Sequence, residues 1–233
     1  MKNLKEIDFE ELEKKLGVKI KSKEIFIEAL THKSYLFFHP EHKYNHNERL
    51  EFLGDAIIEF VVSDYLFRKY KNLKEGELTS VRASLVNKER LLEIAERLNL
   101  EKFVLYEKIQ GEKGLKTVLS NCVEALIGAL YLDSGLNSAR NFIEKNFFDD
   151  LDEIISKKLY KDPKSRLQEI FQEKYKILPK YVVLEEKGAP HKKSFKIGLF
   201  LNDKLISVGE GSSKHEAEIK AAIKALKKKF DKI

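Results

Sequence analysis

The sequence predicts an all-α body over residues 1–155, a short linker at 156–161, and a small α+β domain of order α-β-β-β-α at 162–231. Three observations carry that division. Apolar residues recur at helical spacing through the first part, with no strand-like alternation of any length. Three segments rich in β-branched and aromatic residues, KYVVLEE, KKSFKIGLF and KLISVGE, fall only near the end. The charge changes at the same place: residues 161–233 carry 18 Lys+Arg against 10 Asp+Glu, which leaves 1–160 slightly acidic. A basic module attached to a different body suggests nucleic-acid binding; a solvated lysine-rich surface is the plainer alternative.

In chain order, Leu4, Ile7, Leu12 and Leu16 mark a first amphipathic helix stopped by Gly17, and Ser22 can cap a second through Phe26 and Leu30. The third is NERLEFLGDAIIEFVVSDYLF. The loop KNLKEGE leads to a helix in LTSVRASLV, and Asn87 can cap NKERLLEIAERLNL. QGEKGLK reads as a loop before a second apolar helix, SNCVEALIGALYLDSG, closed by Gly135. The polar, charged ISKKLYKDP reads as linker. Asp162 caps the next helix with Pro163 at its first position, where a missing N–H is no loss. Gly188-Ala189-Pro190 and Asn202-Asp203 supply the turns between strands, Gly211 ends the last strand, and Ser212 or Ser213 caps the final helix.

A hydrophobic share of 42% with 35% charged residues excludes a disordered chain. No run approaches the roughly 18 apolar residues of a membrane span, so no membrane partner is expected. The N-terminus lacks an apolar leader core, and a single cysteine, Cys122, allows no intrachain disulfide. Both point to the cytoplasm.

The third helix carries the chemistry. At 100° per residue, Glu48, Glu51, Asp55 and Glu59 fall within about 80° of arc. Phe52 lies on one side of this stripe, Ile58 and Val62 on the other. Aligned, partly buried carboxylates repel one another, so something positive must meet them. A hard divalent cation such as Mg²⁺ favours such oxygens; Lys or Arg from a neighbouring element is the alternative. Glu59, at the far end, reads as solvated. In the second apolar helix Asn121 and Glu124 are three residues apart on one face, both oxygen donors, and Glu124 is surrounded by small or apolar residues. A salt bridge would explain Glu124 alone; beside the first stripe it reads as the other half of a metal site between two facing helices.

These segments resemble a known family. NERLEFLGDAIIEF resembles the signature of ribonuclease III, centred on ERLEFLGD; GELTSVRASLVN, VEALIGALYLDSG and, more weakly, THKSY resemble its other landmarks. The α-β-β-β-α unit, with LQE, GAPHKKSF and GSSKHEAE in place, resembles the family's double-stranded-RNA-binding domain. The resemblance implies an all-α endonuclease domain at 1–155 and an RNA-binding domain at 162–231. It implies a homodimeric, Mg²⁺-dependent endoribonuclease, with Mn²⁺ as a substitute and no small-molecule cofactor. Both strands of duplex RNA are cut to 5′-phosphate and 3′-hydroxyl ends with short 3′ overhangs, and ribosomal RNA precursors and other structured transcripts are the implied targets.

By position, the family's metal ligands fall on Glu51, Asp55, Asn121 and Glu124, with Asp55 and Glu124 catalytic. Glu48 matches a further acid of the catalytic valley, and Glu75 another. Two positions depart from the family pattern: Asn121 stands where Asp is usual, removing one negative charge, and Pro163 stands where an aromatic residue is common. The expected RNA contacts are Gln168, Glu169 and Gln172 to 2′-hydroxyls, His191 in the groove-probing loop, and Lys214, His215 and Lys220 to phosphates. Lys227, Lys228 and Lys229 read as a solvated helix end. Two metal clusters for two strands suit a two-fold dimer, with Phe37, Phe38 and the apolar shoulders of the stripe as interface candidates.

Two rivals remain at this point. A duplex-RNA binder that no longer cuts is favoured by Asn121. An all-α enzyme for a small phosphorylated substrate is disfavoured by the appended basic domain.

Overall fold

The two most apolar stretches become the longest helices and the axis of the first unit. In the computed structural model, which describes residues 7–189 and 193–227, the chain divides into units Met1–Tyr160 and Lys161–Ile233. The first is built from α1 (Phe9–Leu16), α2 (Lys23–Ala29), α3 (Lys33–Phe38), α4 (Glu48–Lys69), α5 (Glu75–Leu85), α6 (Lys88–Arg97), α7 (Gly111–Ser134), α8 (Leu136–Phe147) and α9 (Leu151–Ser156), with a 3₁₀ turn at Leu100–Lys102. Among the described residues the only extended pairing here is a single parallel bridge, Thr31 with Leu105.

α4 and α7 pack together because each places a glycine where the other's backbone passes. A Cβ on Gly54 would lie 1.8 Å from the carbonyl oxygen of Glu124, and one on Gly128 would lie 2.4 Å from that of Leu50. Glycine inside a helix costs about 0.5–1 kcal/mol against alanine, here set against close packing of Leu50, Ile57, Ile58 and Val61 with the apolar face of α7. α7 is long and apolar enough to cross a membrane by length and composition, with mean hydropathy 1.3 over its best window. It serves instead as the core helix, in contact with α2, α4, α6 and α8.

α6 is fixed at both ends. Asn87 Oδ1 accepts from the Arg90 N–H at 2.8 Å and its Nδ2 donates to the Ser84 carbonyl at 3.0 Å. Arg90 Nη2 donates to Asp150 and to the Phe147 carbonyl, while Arg97 reaches Asp149 and the Asn146 carbonyl.

Local departures from expectation have physical reasons. Ser22 takes the cap position of α2, but its hydroxyl turns to Glu24 at 3.0 Å and caps no N–H. The GEKG stretch joins α7 rather than forming a loop, supported by the Glu112–Lys116 pair one turn apart. The 156–161 segment is not all linker. α9 ends at Ser156, and Tyr160 returns to the core, its hydroxyl donating to Glu77 at 3.1 Å, because a buried tyrosine needs a partner for its O–H. Among the interface candidates, Ile58 and Val62 are wholly buried in their own unit, whereas Phe37 and Phe52 are each 81% exposed, with Phe60 and Phe67 further along α4 also exposed.

The second unit runs α10 (Pro163–Tyr175), β1 (Lys180–Lys187), β2 (Ser194–Leu201), β3 (Lys204–Gly211) and α11 (Lys214–Leu226). The strands form an antiparallel sheet in the order β1-β2-β3, with Gly198 opposite both Val182 and Val208. Leu167 and Phe171 of α10 and an alanine face of α11 bury Leu199, Leu201 and Ile206. The close approach of α11 to β3 needs a glycine: a Cβ on Gly209 would lie 2.0 Å from the Ala217 carbonyl oxygen. Asp162 caps α10 through the Ser165 N–H at 3.0 Å. Ser213, rather than Ser212, caps α11 through the Glu216 N–H at 3.1 Å. Asn202 takes the left-handed turn, φ 52°.

Candidate active site

The Gly54–Gly128 contact brings one face of α4 against one face of α7, and the polar residues on those faces meet beside it. Asn121 Nδ2 donates to Glu51 Oε1 at 2.8 Å. Glu51 and Glu124 are partly buried, and Asp55, one turn on from Glu51, stays exposed to solvent. Burial, then the charges of Glu51 and Asp55, push the Glu124 carboxyl up to about 7. Burial also raises Glu51, and the Asn121 hydrogen bond opposes that shift. Glu51, Asp55, Asn121 and Glu124 are thus one electrostatic group, as the spacing of the two helices suggests.

The other acids are arranged differently. Glu48 is half exposed and bound by Lys33 Nζ at 2.8 Å, which holds its carboxyl below the usual range. Glu59 is not simply solvated: Arg82 Nε meets it at 2.8 Å, and Arg82 also donates to Ser63. Glu75 stands in the first turn of α5, accepts from the Thr79 hydroxyl at 3.2 Å, and lines a cleft of about 400 Å³ with Ser63, Leu66, Phe67 and Arg82. Among the described residues no hydrogen bond or ion pair joins it to the Glu51–Glu124 group.

The donor chemistry fits a hard divalent ion, since burial first and neighbouring carboxylates second raise Glu51 and Glu124, and a cation relieves both. The side chains have not closed on a common point: among the described residues no three His, Cys, Asp or Glu are poised to hold an ion. Asn121 points its amide nitrogen at Glu51, which leaves its carbonyl oxygen as the atom that would ligate.

On the second unit, Gln168, Glu169 and Gln172 are exposed along α10 and line one shallow groove with Ser165, Glu173 and Lys176. Glu169 is not free there, because Lys161 grips both its oxygens at 2.7 Å. Lys214 and His215 are exposed in the first turn of α11. Lys220 is engaged by Glu216 at 2.6 Å. His191 lies outside the described residues. Lys193, which its local sequence did not mark, faces the Phe195 ring together with Lys214, at 5.9 and 5.7 Å.

A family model described as Ribonuclease-III-like matches residues 22–151, spanning the whole α4–α7 site. The chain belongs to the ribonuclease III family. A second model, described as a double-stranded RNA binding motif, matches residues 163–229. A Ribonuclease 3 of Carboxydothermus hydrogenoformans is 45% identical over 218 residues, covering 92% of this chain and 93% of its own. One from Clostridium acetobutylicum is 41% identical over 221 residues, covering 94% and 95%. The solved nuclease domain of ribonuclease III from Campylobacter jejuni, 42% identical, superimposes with a TM-score of 0.53 and covers 60% of this chain and 99% of that one. The enzyme class follows: a ribonuclease III-type endoribonuclease with a double-stranded-RNA-binding unit behind it.

For several residues that shape this ribonuclease III site, the sequence shows membership of a landmark segment or a helix but not the role. Gly54 and Gly128 lie in the segments that resemble the family, and only the packing shows that they set the helix contact. Lys33 and Lys88 reach the acids from α3 and α6 through tertiary packing alone.

Proposed function

We propose that the chain cuts both strands of duplex RNA with Mg²⁺ at the α4–α7 site, giving 5′-phosphate and 3′-hydroxyl ends with short 3′ overhangs. The observation that carries this reading is the shared electrostatics of Glu51, Asp55 and Glu124, three carboxylates set by a backbone contact and short of positive charge. Glu51, Asp55 and Glu124, with the carbonyl oxygen of Asn121, would hold the ion, and Mn²⁺ suits the same oxygen donors. When bound, the ion supplies a lowered water pKa and charge neutralisation at the phosphate. In the metal-free chain the Glu124 carboxyl sits near 7, so taking up the ion releases its proton, while Asp55 at the solvent edge orients the incoming water and phosphate. Asn121 keeps Glu51 in place by its amide hydrogen bond.

The exposed Phe52, Phe60 and Phe67 of α4, spaced seven and eight residues apart on one side, support docking of a second copy. A two-fold dimer would supply the second cleavage site. The second unit would hold the duplex by shape through α10 and by phosphate contacts from Lys193, Lys214 and His215. Ribosomal RNA precursors and other structured transcripts in the cytoplasm are the proposed substrates.

The second reading, a duplex binder that does not cut, is favoured by the Asn121 amide facing Glu51. Cleavage of a long RNA duplex across a Mg²⁺ series, for the parent and Asn121→Asp, tests both. Cutting by the parent, with a lower Mg²⁺ requirement in the variant, supports the nuclease. Cutting only after the substitution would overturn it in favour of the binder.

A further inference from the structure

A cluster of carboxylates is a poor landing place for a polyanion, so a site that cuts RNA needs cations on the same surface. Two lysines bear on Glu48, Glu51 and Glu124: Lys33 and Lys88. Lys33, on α3, holds Glu48 at 2.8 Å while remaining 63% exposed. Its helix is anchored by the Leu105–Leu30 and His32–Leu105 backbone hydrogen bonds and by the Ser34 hydroxyl accepting from the Glu107 N–H at 3.1 Å. Lys88, the first residue of α6, is exposed and forms no ion pair among the described residues. Its charge is felt by both Glu51 and Glu124.

The placement of Lys88 is unexplained by the fold. A cation in the first turn of a helix opposes the macrodipole, and Lys88 gains no carboxylate partner in return. The Asn87 cap and the Arg90 and Arg97 contacts fix the helix that presents it. Lys33 stands at the Glu48 end of the acids, and Lys88 opens α6, which packs against α7, the helix that carries Glu124; each lysine is on a separately anchored helix.

We propose that Lys33 and Lys88 are phosphate-binding residues of the nuclease unit, holding the RNA strand at two points beside the acidic group. Lys33 exchanges Glu48 for a phosphate when RNA arrives, which releases that carboxylate toward the reacting centre. Lys88 offers an ammonium already free. Both act on the strand being cut, apart from the contacts made by the second unit, and the inference rests on the duplex-RNA reading of the site.

The test uses the full chain and its Lys33→Gln, Lys88→Gln and doubly substituted variants, with Lys→Arg at each position as the conservative control. Binding to a long RNA duplex is measured against salt without divalent ions, and KM and kcat are measured at saturating Mg²⁺. Each Gln substitution is expected to make the slope of log affinity against log salt shallower by about 1 per protomer. KM should rise several-fold while kcat moves less, and Arg should restore both. An unchanged salt slope, with only the Mg²⁺ requirement reduced, would overturn the proposal by showing that the lysines merely offset the acids. If the parent fails to cut duplex RNA, the underlying reading falls, while the salt slope still decides the lysines.

Discussion

Four of the five acids of α4 share one stripe, yet its ends and its middle are built differently. At the ends, Glu48 is met by Lys33 and Glu59 by Arg82, each within 2.8 Å. In the middle, Glu51 receives only a neutral amide, Asp55 faces solvent, and both press on Glu124 across the helix contact. Had all four acids been matched, the stripe would be an ordinary salt-bridged helix face. The unmatched middle is where a cation has most to offer, so the pattern of pairing, rather than the row of acids, locates the chemistry.

The largest expected effect breaks this contrast outright. Glu124→Gln should reduce cleavage by on the order of 10³-fold, equivalent to about 4 kcal/mol of barrier, with duplex binding kept within error in a filter or fluorescence assay. Cleavage near the parent level would remove Glu124 from the reaction. Next, Gly54→Ala forces a methyl group onto the α7 backbone, 1.8 Å from the Glu124 carbonyl oxygen. Overpacking of this kind should destabilise the chain by about 1–3 kcal/mol and depress cleavage beyond what the lower melting temperature explains.

A third prediction concerns pH. The Glu124 carboxyl rises from its ordinary 4.5 to about 7 in the folded chain, so between those values the folded state holds more protons than the unfolded one. The metal-free protein therefore loses stability as pH climbs through that window and stays penalised above it. Glu124→Gln should remove the penalty. Its advantage over the parent in thermal melts should be absent near pH 4 and on the order of 1 kcal/mol near pH 8, discounted for partial exposure. Adding Mg²⁺ at the higher pH should stabilise the parent and close that gap. The smallest effect is expected at the paired end: Glu59→Gln should cost under about 1 kcal/mol in stability, since each partner is well exposed, and should leave cleavage nearly unchanged. A large loss of cleavage there would erase the distinction between end and middle.

What the sequence made legible follows the range of the physics involved. The grouping of Glu51 with Asp55, and of Asn121 with Glu124, comes from helical periodicity and needs no knowledge of packing. The caps at Asn87, Asp162 and Ser213 are equally local, hydrogen-bonding three residues ahead. Legibility stops where partners are distant in the chain. Lys33 precedes Glu48 by fifteen residues and Arg82 follows Glu59 by twenty-three, so Glu59 reads as solvated until the helices are packed. Tyr160 sits in a charged stretch with every local mark of a linker, and its buried hydroxyl finds an acceptor on the distant Glu77. The direction of the Asn121 amide depends on Glu51, seventy residues away, and no periodicity encodes it.

At the Gly54–Gly128 crossing of α4 and α7 no glycine side chain stands between the backbones to absorb movement. Elsewhere in the core a leucine can change rotamer and take up a fraction of an ångström; at Gly54 and Gly128 there is nothing to rotate. A slip of either helix by one residue would turn its donors by about 100° and drive a neighbouring Cβ into the facing chain. The donor spacing is thus tied to a gauge set by main-chain atoms, which thermal rattling of the surrounding core changes little. The rest of that core is free to exchange one aliphatic side chain for another without detuning the site.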